Sequence, residues 1–205
     1  MVLADDDPRW RWDPVEQAIA ACEGGAAAVQ LRCKHTPDRR VLAFARVIRE
    51  TTRRAGVPFL MNDRFDLAWL CDADGVHLGQ ADLPPASLPE AVRQRLIVGW
   101  STHDEAQAAA AAALPVDYVA FGPVFGTTSK DSPYGPRGVE ALSSAARTVA
   151  PRPLVAIGGV DSGNIRDVAT AGARFAAVIS AVAAADDPTA ATRALVVAFE
   201  KGRNP

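Results

Sequence analysis

Short uninterrupted apolar segments recur along the chain and predict eight β-strands. Such runs are typical of parallel strands that are buried on both faces of a sheet. The segments recur on average about every 25 residues, which leaves room for a helix or a turn after each strand. The predicted strands are residues 1–4, 27–32, 59–62, 75–79, 96–100, 117–122, 154–159 and 175–180.

The segments between the strands carry helical patterns and helix end signals. Residues 13–25 begin with Asp13 and Pro14, an N-cap followed by proline in the first turn, and end in two glycines. Four more helices are predicted at 37–56, 102–114, 161–172 and 186–202. We expect Thr102 to cap the helix at 102–114, and Asp161 or Ser162 to cap the helix at 161–172.

Strict alternation of strands and helices predicts a parallel sheet with right-handed crossovers. Eight units favour a closed (β/α)₈ TIM barrel over a doubly wound sheet, which usually stops at five or six strands. The length of 205 residues lies near the lower end of the range for such barrels. No linker or low-complexity tract is visible, so a single α/β domain over residues 1–205 is predicted.

Composition and charge narrow the possible partners. The chain is 49% hydrophobic and 22% charged, as in ordinary soluble globular proteins, and its net charge is -2. No global positive field therefore attracts nucleic acid or an anionic membrane. Three scattered cysteines predict neither a disulfide framework nor a zinc site, and a reducing cytoplasm is expected. No signal peptide or membrane-spanning segment is evident.

Catalytic groups of a TIM barrel lie at the carboxyl ends of its strands. Polar or glycine residues follow most of the predicted strands. They are Gln30, Arg32, Lys34, Asn62, Asp63, Arg64, His77, Gln80, Asp82, Ser101, His103, Thr127, Ser129, Lys130, Gly158, Gly159 and Ser180.

Taken singly, these residues have ordinary structural explanations. Asp63 fits an N-cap of a helix that begins at Phe65, and His77 fits a hydrogen-bonded core histidine. Gly158 and Gly159 could merely permit close packing. Arg32 and Lys34 could be a solvated strand end, and Asp82 a turn residue.

Taken together, the same residues suit the chemistry of phosphates. Arg32, Lys34 and Lys130 can surround a polyanion, while Asp63 and Asp82 can hold Mg²⁺, which is usually bound by one or two carboxylates plus phosphates.

A second anion site is indicated on the other side of the predicted barrel. Gly159 and the backbone at Ile179 and Ser180 follow the last two strands, where barrels commonly bind a single phosphate. The pattern predicts two phosphorylated substrates, or one substrate with phosphates at both ends.

Seven segments, spread over nearly the whole chain, occur in the order found in one known family. The sequence resembles the thiamine phosphate synthase family in the segments VQLRCK, MNDRFDLA, ADGVHLGQADLP, GWSTH, FGPVFGTTSK, VAIGGV and VISAV. That family is a (β/α)₈ barrel that joins a hydroxymethylpyrimidine diphosphate to a thiazole phosphate and releases diphosphate. The resemblance implies the same fold and reaction, by a dissociative mechanism that needs no side-chain nucleophile.

The resemblance also implies roles for individual residues. The pyrimidine diphosphate would be held by Gln30, Arg32, Lys34, Asn62, Ser101 and Lys130, of which Arg32, Lys34, Ser101 and Lys130 would be catalytic. Mg²⁺ would be bound by Asp63 and Asp82. The thiazole phosphate would be held by Thr127, Ser129, Gly159, Ile179 and Ser180.

The long loop at 124–137 is predicted to be a lid that becomes ordered when ligand binds. Its composition is rich in Gly and Pro with little apolar material, and Lys130 has no obvious counter-ion nearby in the sequence.

The sequence departs from the family pattern at three places. Gly126 replaces the usual proline and should loosen the loop, Ser129 replaces threonine, and the short first strand is expected to leave the first barrel unit poorly closed.

Two other functions are compatible with the same barrel. A thiazole tautomerase would share the thiazole-phosphate site and use a histidine such as His103, but would lose the metal carboxylates that this chain retains. A non-catalytic thiazole-phosphate-binding regulatory relative would show erosion of the charged residues. Oligomeric state does not follow from the sequence.

Overall fold

The computed structural model of the protein describes residues 1–127 and 133–203. Eight parallel strands form one sheet in sequence order, which confirms the predicted TIM barrel. The strands are β1 Val2–Asp5, β2 Val29–Arg32, β3 Phe59–Asn62, β4 Gly75–Leu78, β5 Ile97–Thr102, β6 Tyr118–Phe121, β7 Leu154–Ile157 and β8 Phe175–Ala177.

The first strand joins both of its neighbours, contrary to the expectation of a poorly closed first unit. β1 pairs with β2 over four residues. On its other side, Val2 bridges Val178, the Leu3 N–H donates to the Val178 carbonyl at 2.9 Å, and the Val178 N–H donates to the Met1 carbonyl at 3.2 Å. The strand is short, but so are its neighbours, and its backbone groups are paired on both edges.

Helices follow the strands around the outside. They are α1 Pro14–Glu23, α2 Asp38–Ala55, α3 Phe65–Leu70, α4 Glu90–Arg95, α5 Glu105–Ala111, α6 Gly138–Val149, α7 Ile165–Thr170, α8 Ser180–Ala183 and α9 Pro188–Arg203. The predicted cap of α1 is confirmed, since the Asp13 side chain accepts hydrogen bonds from the amides of Val15 and Glu16. No helix in the described part of the chain is long and apolar enough to cross a membrane.

Two predicted caps were wrong. α5 is capped by Asp104, whose carboxylate accepts the Gln107 N–H at 2.8 Å, because β5 extends through Thr102 and uses that hydroxyl to bond Ala120 across the sheet. The N-cap residue of α7 is Asn164, because Asp161 closes the preceding turn by accepting the Gly163 N–H.

Side chains alternate between the barrel interior and the helices. Leu3, Leu60, Tyr118, Val155 and Ala177 belong to the cluster inside the barrel, whereas their chain neighbours pack in the larger cluster beneath the helices. The inward positions nearer the carboxyl ends of β1 to β5 are polar, and they are Asp5, Gln30, Arg32, Asn62, His77 and Ser101. The alternation therefore places a layer of polar side chains inside the barrel, just below the rim where the strands end.

Candidate active site

The guanidinium of Arg32 is held by a buried carboxylate that the sequence analysis missed. Asp5 ends β1, is fully buried, and lies opposite Arg32 in the β1–β2 register. Its carboxylate forms an ion pair with Arg32 and accepts the Trp10 indole N–H at 2.7 Å. Because the Arg32 guanidinium has no other hydrogen-bond partner among the described residues, its remaining N–H groups are available to an anion. Arg32 is therefore a positioned group and not a solvated strand end.

The segment after β2 is fixed by a second acid. Asp6 accepts the backbone N–H groups of Lys34 at 2.7 Å and His35 at 2.9 Å. Partial burial acts to raise the pKa of Asp6, but the hydrogen bonds from residues 34–36 outweigh it and hold the pKa below its ordinary value. The Lys34 ammonium reaches the next strand, where it lies 2.5 Å from the Asp63 carboxylate.

Asp63 occupies a strained position directly after β3. Its φ is 63°, in the left-handed region, and its N–H donates to the His77 carbonyl at 2.7 Å. The N-cap position of α3 is occupied by Arg64, with no side-chain capping bond. The ordinary explanation of Asp63 as a helix cap is therefore wrong. Its carboxylate makes no capping bond and lies at the rim, where it pairs with Lys34.

Asp82 lies beside Asp63. Its carboxylate accepts the Gly79 N–H at 2.7 Å, and its pKa is raised, first by burial and then by the negative charge of Asp63. Two neighbouring carboxylates are a donor set suited to Mg²⁺, which is usually bound by one or two carboxylates plus phosphates. No group of three or more His, Cys, Asp or Glu suited to a metal occurs in the described ranges, so water and phosphate oxygens would complete the coordination.

Gln30 and Asn62 lie lower in the same half of the barrel. Gln30 is 2% exposed, and its Oε1 atom has no hydrogen-bond partner within the described residues. Asn62 ends β3 and is also buried. An unpaired buried acceptor costs free energy, so Gln30 can gain a donor from a ligand.

His77 and Ser101 are joined by a hydrogen bond beneath the rim. The Nε2 atom of His77 lies 2.8 Å from the Ser101 hydroxyl, and Nδ1 lies 2.9 Å from the Tyr118 hydroxyl. The interpretation of His77 as a hydrogen-bonded core histidine is confirmed. The sequence analysis missed Tyr118, because that residue begins β6 and the search was confined to strand ends.

A neutral cavity lies where β5 to β8 end. Among its described lining residues none is Asp, Glu, Lys or Arg. It brings together four of the residues predicted to hold a thiazole phosphate with Ser101 from the other predicted site: Thr127, Gly159, Ile179, Ser180 and Ser101. Ser129 and Lys130 lie outside the described residues, so their predicted roles and the closing of the lid stay predictions.

The glycine pair after β7 packs against the start of the long loop. Gly158 and Gly159 have φ values of 98° and 64°. A Cβ on Gly159 would lie 2.3 Å from the Gly126 carbonyl oxygen, and the Phe125 N–H donates to the Gly158 carbonyl at 2.9 Å. The close-packing explanation of the pair is therefore confirmed, and the same contact holds the loop at the edge of the cavity.

The two ends of the loop meet at one wall of the cavity. The Arg137 N–H donates to the Pro123 carbonyl at 2.9 Å, and the Tyr134 ring stacks on His103 with centroids 4.2 Å apart. His103 Nδ1 lies 2.7 Å from the Gly122 carbonyl, which can only accept, so Nδ1 carries a proton. Sequence reasoning had no signal for the Tyr134 contact, which depends on how the loop returns.

Comparison with known proteins gives matches over nearly the whole chain. Residues 1–182 match the family model described as thiamine monophosphate synthase. The chain is 48% identical to thiamine-phosphate synthase of Anaeromyxobacter dehalogenans, over 93% of this chain and 85% of that protein. It is 45% identical to the enzyme of the same name from Myxococcus xanthus, over 98% and 92% of the two chains. Thiamine phosphate pyrophosphorylase from Pyrococcus furiosus superposes with a TM-score of 0.87 at 34% identity, covering 98% of this chain and 95% of that one.

Proposed function

The chain belongs to the thiamine monophosphate synthase family and is a transferase that forms thiamine phosphate, and we propose that it joins a hydroxymethylpyrimidine diphosphate to a thiazole phosphate with Mg²⁺ bound. The observation that carries this proposal is the pair of neighbouring carboxylates, Asp63 and Asp82, with Lys34 beside them. Arg32 ends β2, the strand that Lys34 follows, on the same half of the rim. A diphosphate with a divalent cation matches both signs of charge at this rim.

The pyrimidine diphosphate would lie over the β1 to β5 half of the rim. Arg32 can form two parallel hydrogen bonds to phosphate oxygens while Asp5 keeps its guanidinium in place. The Gln30 Oε1 atom below it offers an acceptor to the heterocycle. Asn62 and Ser101 line the path between these levels, and Lys130 would approach from the loop.

The reaction breaks the bond between the pyrimidine methylene carbon and the diphosphate oxygen, and the electron pair leaves with diphosphate. The thiazole nitrogen then donates its lone pair to the methylene carbon, so that one C–N bond replaces one C–O bond. Mg²⁺, when held by Asp63 and Asp82, supplies a Lewis acid for the departing diphosphate. Arg32 and Lys34 offset the negative charge that builds on the leaving group, in positions fixed before the bond breaks.

The thiazole phosphate would occupy the neutral cavity between β5 and β8. Thr127 and Ser180 offer hydroxyl groups, and Gly159 offers backbone close to the ligand because it has no side chain. Ser129 would add a second hydroxyl from the loop. Placing this substrate beside Ser101 puts its ring next to the carbon that loses diphosphate.

The proposed partners are these two phosphorylated small molecules, and no nucleic acid, because the net charge of -2 provides no general attraction for polyanions. We propose a reducing cytoplasm as the location, since Cys22, Cys33 and Cys71 are all free thiols. A tautomerase or a non-catalytic relative would have no use for the Asp63–Asp82 pair.

The test is a mixing assay with both substrates and Mg²⁺, in which released diphosphate and thiamine phosphate are measured together. We expect equal amounts of the two products, and neither product when chelator is added or when either substrate is omitted. A tautomerase would instead exchange protons of the thiazole phosphate with deuterated water and release no diphosphate. Binding of thiazole phosphate with no product under any condition would identify a regulatory relative.

A further inference from the structure

Tyr118, Gly99 and His77 lie in one row across three neighbouring strands. Gly99 pairs with His77 on one side and with Tyr118 on the other. A Cβ atom on Gly99 would lie 2.0 Å from the Tyr118 ring. Because Gly99 has no side chain, the Tyr118 phenol can pass over β5, and its hydroxyl reaches the His77 imidazole on β4.

The Tyr118 phenol must donate its proton to His77. Burial foremost, and the charge of Asp117, raise the pKa of Tyr118, so the hydroxyl keeps its proton. Its hydrogen-bond partner within the described residues is His77 Nδ1, at 2.9 Å. A buried hydroxyl proton without an acceptor is costly, so Nδ1 accepts and the imidazole carries its proton on Nε2.

The direction of this bond sets the direction of the next one. His77 Nε2 lies 2.8 Å from the Ser101 hydroxyl oxygen. Because Nε2 carries the proton, Ser101 must accept there, and its own proton is left to point elsewhere. Ser101 also lines the cavity at the rim, so the proton of its hydroxyl is free to be donated into that space.

We propose that Tyr118 is a positioning residue which, through His77, makes the Ser101 hydroxyl a hydrogen-bond donor toward the departing diphosphate. In the opposite tautomer, Ser101 would donate to His77 and present only lone pairs to an anionic oxygen. The inference rests on the proposed placement of the diphosphate beside Ser101. The tautomer of His77 is a property of the free enzyme and does not depend on that placement.

The first measurement is therefore the ¹⁵N NMR signal of the His77 ring in the free enzyme. We expect the Nε2-protonated tautomer in the wild type, and a shift toward the Nδ1-protonated form in Tyr118→Phe, which removes the donor. A wild-type ring protonated on Nδ1, or an unchanged tautomer in Tyr118→Phe, would overturn the proposal without touching the proposed function.

The second measurement is the rate of diphosphate release in a double-mutant cycle. Tyr118→Phe should slow turnover on the order of tenfold in the wild type but have no further effect in a Ser101→Ala background, because its effect passes through Ser101. Equal slowing in both backgrounds would show that Tyr118 has only a general structural role.

A matched control is available on β5, next to Ser101. Thr102→Val removes a different buried hydroxyl bond, the one from Thr102 on β5 to the Ala120 carbonyl on β6 at 2.9 Å. It should leave the His77 signal and the rate near their wild-type values, because the Thr102 hydroxyl donates to Ala120 and takes no part in the bonds that join Tyr118, His77 and Ser101. A comparable change of tautomer in this variant would mean that any loosening of the strands, and not the phenol proton, moves His77.

Discussion

The two halves of the barrel rim treat anions in different ways. From β1 to β4 the rim carries charged side chains, each held by a partner, as in Arg32 with Asp5 and Lys34 with Asp63. From β5 to β8 it is a neutral cavity of hydroxyls, glycines and apolar walls. In the proposed reaction, negative charge builds on the diphosphate but stays constant on the thiazole phosphate. Strong charges are therefore concentrated where charge changes, and weaker dipoles suffice where it does not.

The largest expected effect comes from removing one carboxylate of the charged half. Asp82→Asn should lower turnover by on the order of 100-fold to 1000-fold and weaken Mg²⁺ binding, because the metal loses a ligand. Binding of thiazole phosphate alone, measured by calorimetry, should stay close to wild type. Full activity of Asp82→Asn in the presence of chelator would show that the charged half binds no metal needed for the reaction.

A second change tests whether the charged half is rigid. Asp5→Asn leaves Arg32 nearly buried without its counter-charge, and should lower the free energy of unfolding by about 3 kcal/mol, measured by urea denaturation. Asp186→Asn is a suitable control, because Asp186 is fully exposed and pairs with Arg11 at the surface, at 3.7 Å, so this substitution should change stability little. Equal stability of the two variants would show that the Asp5–Arg32 pair does not hold the site.

A third change keeps the charge of the same half and alters only its geometry. Arg32→Lys should raise the barrier by about 1–3 kcal/mol, because lysine cannot bond a diphosphate through two parallel N–H groups. The measurement is kcat/KM for the pyrimidine diphosphate, with substitution of the exposed Arg40 of α2, Arg40→Lys, as control. If both variants match the wild type, total charge alone would explain the charged half.

A fourth change is directed at the neutral half. Gly159→Ala forces a side chain toward the Gly126 carbonyl and onto a left-handed backbone, at a cost of about 1–3 kcal/mol. We expect a higher KM for the thiazole phosphate and little change in binding of the pyrimidine diphosphate. Gly25→Ala, also at positive φ but with open space around it, controls for backbone strain alone. A raised KM for both substrates would mean that the halves are not independent.

The smallest expected effect is a dependence of stability on pH. Because the pKa of Asp82 is raised in the folded protein, its contribution to stability is present below the ordinary pKa and is lost as pH rises through the raised value. Solvent screens this half-buried group, so the loss should be small. Subtracting the unfolding free energy of Asp82→Asn from that of the wild type, in metal-free buffer between about pH 4 and pH 7, isolates it. A difference that grows with pH would contradict the sign expected here.

The fold was predictable because the strand signal is simple and repeated. Each apolar run became a strand, and every strand end lies within two residues of the prediction except that of β8, which ends at Ala177 and not at residue 180. The helices α3 and α4, with six residues each, are too short to show a clear period. Arg32 and Asp82 were identified from the sequence because catalytic groups of a TIM barrel lie at the carboxyl ends of its strands, and no knowledge of spatial contacts was needed.

Residues that act through long-range contacts were harder to predict. Asp5 was missed because the first strand was ended at Ala4, one residue early. Tyr118 was missed because its importance depends on the register that brings it across Gly99 to His77. Thr102 was mistaken for a cap because the sequence does not show that β5 continues through it.

The left-handed backbone at Asp63 restricts how this position can evolve. At a φ of 63°, Gly, Asn and Asp are tolerated far better than other residues, and β-branched or bulky side chains are strained. Exchange for glutamate, which keeps the charge, would still carry a conformational penalty. A lineage that gives up the carboxylate should therefore most often fix Asn or Gly at this site. In an alignment of relatives, those two residues at position 63 would mark the branches that have changed their chemistry and kept their shape.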